Sequence, residues 1–130
     1  MNVKLIRGDT NRLNIYFRRK LLDADGKPIR GSDGEFTYSA INLTNATITL
    51  TARNTNTDVI VFQLTNTGGQ IVVSNPANAG NAVVTVAPTT TASMSAPSWL
   101  DYDVELLESD STKTTVLKGR LLVSKDITYA

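Results

Sequence analysis

The chain contains no cysteine and no histidine in 130 residues. Without cysteine there is no disulfide framework and no thiolate metal site. Without histidine it lacks the side chain that most often moves protons near neutral pH, and also the commonest zinc ligand. The formal net charge is only +1, short of the basic excess a dedicated nucleic-acid binder carries. No apolar run approaches the ~18 residues of a membrane span. Met1 to Asp9 has no apolar h-region, so no cleaved signal peptide is expected, and the protein is expected to fold in a cytoplasm.

What is present is alternation. In Asp101-Tyr102-Asp103-Val104-Glu105-Leu106 acidic and apolar residues take turns at every step. Strand side chains point to opposite faces with period two, which sends Tyr102, Val104 and Leu106 inward and the three acids to water. A polar loop from Glu108 to Lys113 leads to a second run, Thr114 to Ser124, in which Leu117, Gly119, Leu121 and Val123 alternate with Lys118 and Arg120. The two runs read as a hairpin with cations facing acids across it. The same period places Leu13, Ile15 and Phe17 inward on a strand from Arg12 to Arg19. It does likewise for Ala46, Ile48, Leu50 and Ala52, and for Ala82, Val84 and Val86.

Turn signals separate these runs: Asp23 to Pro28, Gly31 to Gly34, Gly68-Gly69 and Pro76 to Asn81. Arg30 to Glu35 reads as an exposed loop, with Phe36 to Ala40 a short local strand. Pro88 to Pro97 has room for one helical turn, capped by a Thr hydroxyl, as the chain crosses between sheets. Trp99 reads as a core plug. No internal repeat is apparent. Seven to nine short strands at regular spacing imply one all-β domain over residues 1–130, an Ig-like antiparallel β-sandwich.

Motifs with chemical meaning give way to plainer readings. Asp23-x-Asp25-Gly26 starts like a calcium loop, but the third carboxylate and the distant glutamate are missing, so a turn accounts for it. Asp101, Asp103 and Glu105 have the spacing of paired catalytic acids, yet they lie on a wet face opposite Lys118 and Arg120. Serines and threonines have no histidine partner. Arg7-Gly8-Asp9 matches an integrin-read tripeptide, and Arg18-Arg19-Lys20 is a short basic cluster best read as a solvated strand end. No enzyme, metal or cofactor is indicated.

Three segments in order carry a family likeness. They are Arg7-Gly8-Asp9-Thr10, a strand and Asp23-Ala24-Asp25-Gly26-Lys27-Pro28-Ile29; then Ile41-Asn42-Leu43-Thr44-Asn45-Ala46-Thr47-Ile48-Thr49-Leu50; then Lys118-Gly119-Arg120-Leu121-Leu122-Val123, running on to Thr128. Together they resemble the small β-sandwich domains of tailed-phage baseplate and tail-fibre proteins, notably the amino-terminal domain of the upper baseplate protein family. The chain departs from that pattern in an insertion, Arg30 to Ala40, and in having Asn42 and Asn45 where the family usually has Asp and Gly.

The resemblance implies a structural virion protein of a phage or prophage, made in the host bacterial cytoplasm. It would work by protein–protein contact as a baseplate, tail-tip or fibre-attachment adaptor, in a symmetric oligomer with other virion proteins. From the charge and the lack of a long apolar run, neither nucleic acid nor a membrane is expected as a partner. A capsid decoration or head–tail joining protein is a second structural reading. A carbohydrate-binding module is the reading from another class, but Tyr16, Tyr38, Trp99 and Tyr102 look too few and too dispersed for a platform. The inserted segment is the expected contact arm, with Arg30, Gly31, Ser32, Asp33, Gly34, Glu35, Phe36 and Tyr38 as partner-binding residues.

Overall fold

A computed structural model describes residues 2–94 and 96–125. The strands are β1 (Val3–Ile6), β2 (Asn11–Tyr16), β3 (Arg18–Lys20), β4 (Tyr38–Ala40), β5 (Thr47–Asn54), β6 (Ile60–Thr65), β7 (Ile71–Val73), β8 (Asn81–Val86), β9 (Ser98–Leu107) and β10 (Lys113–Ser124). One helical turn, α1 (Pro88–Thr91), joins β8 to β9, and a 3-10 turn spans Ala77–Ala79. Eight strands form two sheets, ordered β1-β10-β9-β5-β6 and β2-β8-β7, while β3 and β4 make a separate ribbon. The fold is all-β and sandwich-like.

The two sheets share one apolar core. Leu50, Tyr102, Val104 and Leu121 from the larger sheet belong to the same buried cluster as Ile15, Ile71, Val84 and Val86 from the smaller. The alternation expected for β5, β8 and β9 is the one observed, because each of these strands has one face in the core and one in solvent. β9 and β10 form the expected hairpin, with Arg120 opposite Asp101 and Lys118 opposite Asp103. Arg120 lies 3.8 Å from Asp101, and Lys113 reaches Glu105 at 3.4 Å. Register jumps between Thr115 and Leu117, so Val116 is an extra, bulged residue. β1 joins the far side of β10 in parallel.

Several expectations need correction. The strand expected over residues 12–19 is two strands. Phe17, buried at the break, leaves β2 for the ribbon. Leu13 is only partly buried, at the margin of the core. Trp99 is no core plug: it is 48% exposed, because the alternation that buries Leu100 and Tyr102 turns the residue before them outward. α1 has no hydroxyl cap. Its N-cap is Ala87, with Pro88 supplying a helix-ready φ at the first position. The Thr91 hydroxyl instead accepts from the Gly8 amide at 3.0 Å. Asp126 to Thr128 of the third family-like segment lie outside the described residues.

Of the described family-like residues, Lys118 to Val123 lie in β10, while Arg7 to Asp9 and Asn42 to Asn45 fall at turns of the sandwich. Gly8 sits at φ +80, and Arg7 donates to the Met94 carbonyl at 3.3 Å, tying the first turn to the α1 corner. Asn42 Oδ1 accepts from the amide and the hydroxyl of Thr44 at 3.0 and 2.7 Å. Asn45 takes a left-handed φ of 58. Beyond it, Asn66 clamps the start of β5. Its Oδ1 accepts from the Ile48 amide at 2.9 Å, and its Nδ2 donates to the Ala46 carbonyl at 2.8 Å.

Candidate functional site: the arm between Phe17 and Ile41

The chain leaves the sandwich at Phe17 and returns at Ile41, and the two are locked together. The Ile41 amide donates to the Phe17 carbonyl at 2.8 Å, and the Phe17 amide donates to the Gly80 carbonyl at 2.7 Å. Both side chains are buried, so the base of the arm is part of the core. The ribbon rises from this base with Arg18 opposite Ala40, Arg19 opposite Ser39 and Lys20 opposite Tyr38.

Above the ribbon the arm divides. The Leu21 amide donates to Thr37 (2.9 Å), the Thr37 amide to Ile29 (3.0 Å) and the Ile29 amide to Leu21 (2.9 Å), closing a ring of three backbone bonds. The Thr37 hydroxyl adds a bond to the Ile29 carbonyl at 2.9 Å. Two small hairpins spring from this ring, bridged at Leu22–Pro28 and at Arg30–Phe36. Their turns are built alike. Asp23 bonds Lys27 and Gly26 bonds Asp23 in the first; Gly31 bonds Glu35 and Gly34 bonds Gly31 in the second. Gly26 and Gly34 take φ +80 and +81. Residues 21–28 and 29–36 are thus two copies of one eight-residue unit, each with Asp-Gly at its tip. The expectation of no internal repeat is corrected here. The unit is too short, and too like an ordinary turn, to stand out until the hydrogen bonds pair it.

The acidic tips are engaged with their own backbones. Asp23 Oδ1 accepts from the amides of Asp25 and Lys27, both at 2.9 Å. Asp33 Oδ1 accepts from Glu35 at 3.0 Å. These are Asx turns, which explain the calcium-loop likeness as local geometry. Among the described residues no three metal-capable side chains gather.

The two faces of the arm differ. Directly opposed residues in a ribbon share a face, so Arg18, Lys20, Tyr38 and Ala40 lie on one side. There Lys20 Nζ stands 4.0 Å from the centre of the Phe36 ring, the Arg30 guanidinium 4.2 Å from it, and Arg18 5.1 Å from the Tyr38 ring. The result is a strip of three cations on two aromatic rings. Stacking of this kind holds long basic side chains in place while leaving their heads in water. The other face turns to the sandwich, where Arg19 pairs with Glu108 at 2.5 Å. Glu108 begins the β9–β10 turn, closed by its own amide to Thr112 at 2.9 Å. Asp110 in that turn has its carboxyl held below the usual aspartate range, first by the Thr112 amide, with the Arg19 charge a lesser cause.

Of the residues expected to bind a partner, Arg30, Phe36 and Tyr38 come together on the strip. Gly31, Ser32, Asp33, Gly34 and Glu35 instead form the turn of the second hairpin. They make an ordered tip in place of the expected loop, braced by Arg30 donating to the Gly34 carbonyl at 2.8 Å. Arg18 and Lys20 were not among the expected residues. Their signal was the Arg18-Arg19-Lys20 cluster, which alternation splits between the two faces. No family model and no curated protein matches the chain.

Proposed function

We propose that this protein is a structural virion component of a phage or prophage, an adaptor of the baseplate or tail tip that works by protein–protein contact through the arm. The observation that carries the reading is the job done by each family-like segment. Arg7-Gly8-Asp9 and Asn42 to Thr44 set turns of the frame, Asp23 to Pro28 forms the first hairpin of the arm, and Lys118 to Val123 lies in β10. The two asparagines that depart from the family pattern also keep the geometry. Asn42 makes the same Asx turn an aspartate would make. Asn45 occupies a left-handed backbone position, where asparagine is the best substitute for glycine.

Strand order supports the Ig-like form of the sandwich. In a variable-type immunoglobulin domain one sheet carries strands C′, C, F and G, and the other includes B, E and D. Here β6-β5-β9-β10 and β2-β8-β7 stand in those places, with β1 added beside β10. The arm then occupies the B–C connection and the Glu108–Thr112 turn the F–G connection. Those are two of the three loops with which antibody variable domains take antigen, and the Arg19–Glu108 pair joins them.

The test is incorporation into particles. Cutting out Gly31 to Ser39 would take Tyr38 and Ser39 from the ribbon, so the better deletion replaces Leu21 to Thr37 with Asn-Gly. That joins the cross-strand partners Lys20 and Tyr38 by a two-residue hairpin turn. Wild-type protein is expected in purified particles by immunoblot, and the deletion variant is expected to fold but be missing from them. Normal incorporation of the variant would remove the arm from the interface. Absence of the wild-type protein from particles would end the virion reading.

A further inference from the structure

We propose that the cleft beside Trp99, built from the β5–β6 turn and the start of β9, is a binding subsite for a neutral pyranose unit of a glycan. The cleft measures about 610 Å³, within the roughly 300–1,000 Å³ of small-ligand sites. Trp99 lines it and is about half exposed. Pro97 is a second apolar lining residue beside it, and Asn54, Thr55, Asn56 and Arg120 are among the polar ones. A sugar ring has an apolar face of C–H groups and a rim of hydroxyls. An aromatic plane flanked by amide, hydroxyl and guanidinium groups matches both parts.

The walls are fixed before any ligand arrives. Asn54 Oδ1 accepts from the amides of Asn56 and Thr57 at 2.9 and 3.1 Å, holding the turn. The Asn54 amide itself donates to the Val59 carbonyl at 2.8 Å. The Thr55 hydroxyl donates to the Trp99 carbonyl at 3.1 Å, fastening the turn to β9. Such preorganisation lowers the ordering cost of binding. Arg120 already faces Asp101 across the hairpin at 3.8 Å, so the cleft carries little uncompensated charge, which favours a neutral sugar over an acidic one. No Asp or Glu is among the residues lining the cleft, so the chemistry proposed for it is binding. The expectation that the aromatics are too few and too dispersed for a platform concerned a surface of several rings, and Trp99 was separately expected to be buried. Its exposure changes that argument for a one-ring subsite.

Trp99 is the only tryptophan of the chain, so its fluorescence reports on the cleft alone. The experiment titrates the full chain with cellotetraose, galactotetraose and chitotetraose and follows tryptophan emission. Binding is then repeated by calorimetry with the wild type, Trp99→Ala and Asn56→Ala. A saturable emission change in the millimolar range with at least one of the three sugars is expected. Calorimetric binding should vanish in Trp99→Ala and weaken several-fold in Asn56→Ala, with circular dichroism of both variants unchanged. No saturable change with any of the three, or binding undiminished in folded Trp99→Ala, would overturn the proposal. If Trp99→Ala did not fold, the Asn56→Ala titration by emission would decide, and unaltered affinity there would count against the cleft. The arm plays no part in these measurements, so this proposal stands or falls separately from the virion reading.

Discussion

Phe17 and Gly80 meet backbone to backbone. The Phe17 amide donates to the Gly80 carbonyl at 2.7 Å, and a Cβ on Gly80 would lie 2.5 Å from the Phe17 carbonyl oxygen. Gly80 also takes φ +74, a conformation in which side chains are strained. Gly80→Ala is therefore expected to destabilise the protein by about 2–4 kcal/mol through strain and overpacking together. Urea unfolding should show a lower midpoint with little change in slope.

The facing of β9 and β10 is open to a paired test. Leu121 is buried against the core, whereas Asp103 lies on the outer face opposite Lys118. Leu121→Ala should cost about 2–4 kcal/mol, and Asp103→Ala under about 1. Chemical denaturation of both variants checks it. A larger loss at Asp103 would mean the sheet faces the other way.

Within the arm, the two hairpin tips need their glycines for conformation and not for space, since a Cβ at Gly26 or Gly34 meets nothing within 4 Å. Gly26→Ala and Gly34→Ala should each cost about 1 kcal/mol, felt only locally. Hydrogen exchange should quicken at Lys27 in the first variant and at Glu35 in the second. The amides of β5, β8 and β9 should exchange as in the wild type.

Two groups give the pH dependence a sign. Asp110 titrates below the ordinary aspartate value, chiefly because the Thr112 amide bonds its carboxylate. Its contribution is complete above the unfolded-state pKa and is lost as pH falls through the lower folded-state value. Because the carboxylate is exposed, the effect should stay within the turn, and carbon-detected NMR titration should show it. Tyr102 behaves in the opposite sense. Burial raises its phenol above the ordinary tyrosine value, so its contribution holds below the unfolded-state pKa and is lost as pH rises through the folded-state one. The late phenolate signal in an absorbance titration should disappear in Tyr102→Phe.

Period-two patterning made β5, β8 and β9 legible because each has one dry and one wet face. Residues such as Ile48, Val84 and Val104 report that directly. Trp99 shows how the same rule is overridden by habit. Its odd number in the β9 alternation places it outward, yet its size suggests a core residue. The break at Phe17 was not legible, since a chain that swaps sheets keeps its apolar alternation through the swap. The arm was legible as an exposed insertion but not as a structure. Its order comes from backbone bonds among Leu21, Ile29 and Thr37, to which side-chain patterning is blind. The cationic strip was half visible: Phe36 and Tyr38 were placed, whereas Arg18 and Lys20 needed the ribbon register to join them.

The bond between Phe17 and Ile41 brings the two ends of the arm together where it meets the sandwich. Chain leaves and re-enters at one point, and the entropy of closing a loop there grows only slowly with its length. The body is in effect a socket. A peptide epitope or a small domain with neighbouring termini, spliced between Lys20 and Tyr38, would be carried at one pole of the molecule with the core undisturbed. Lineages of such a protein would thus be free to exchange the tip while keeping the mount.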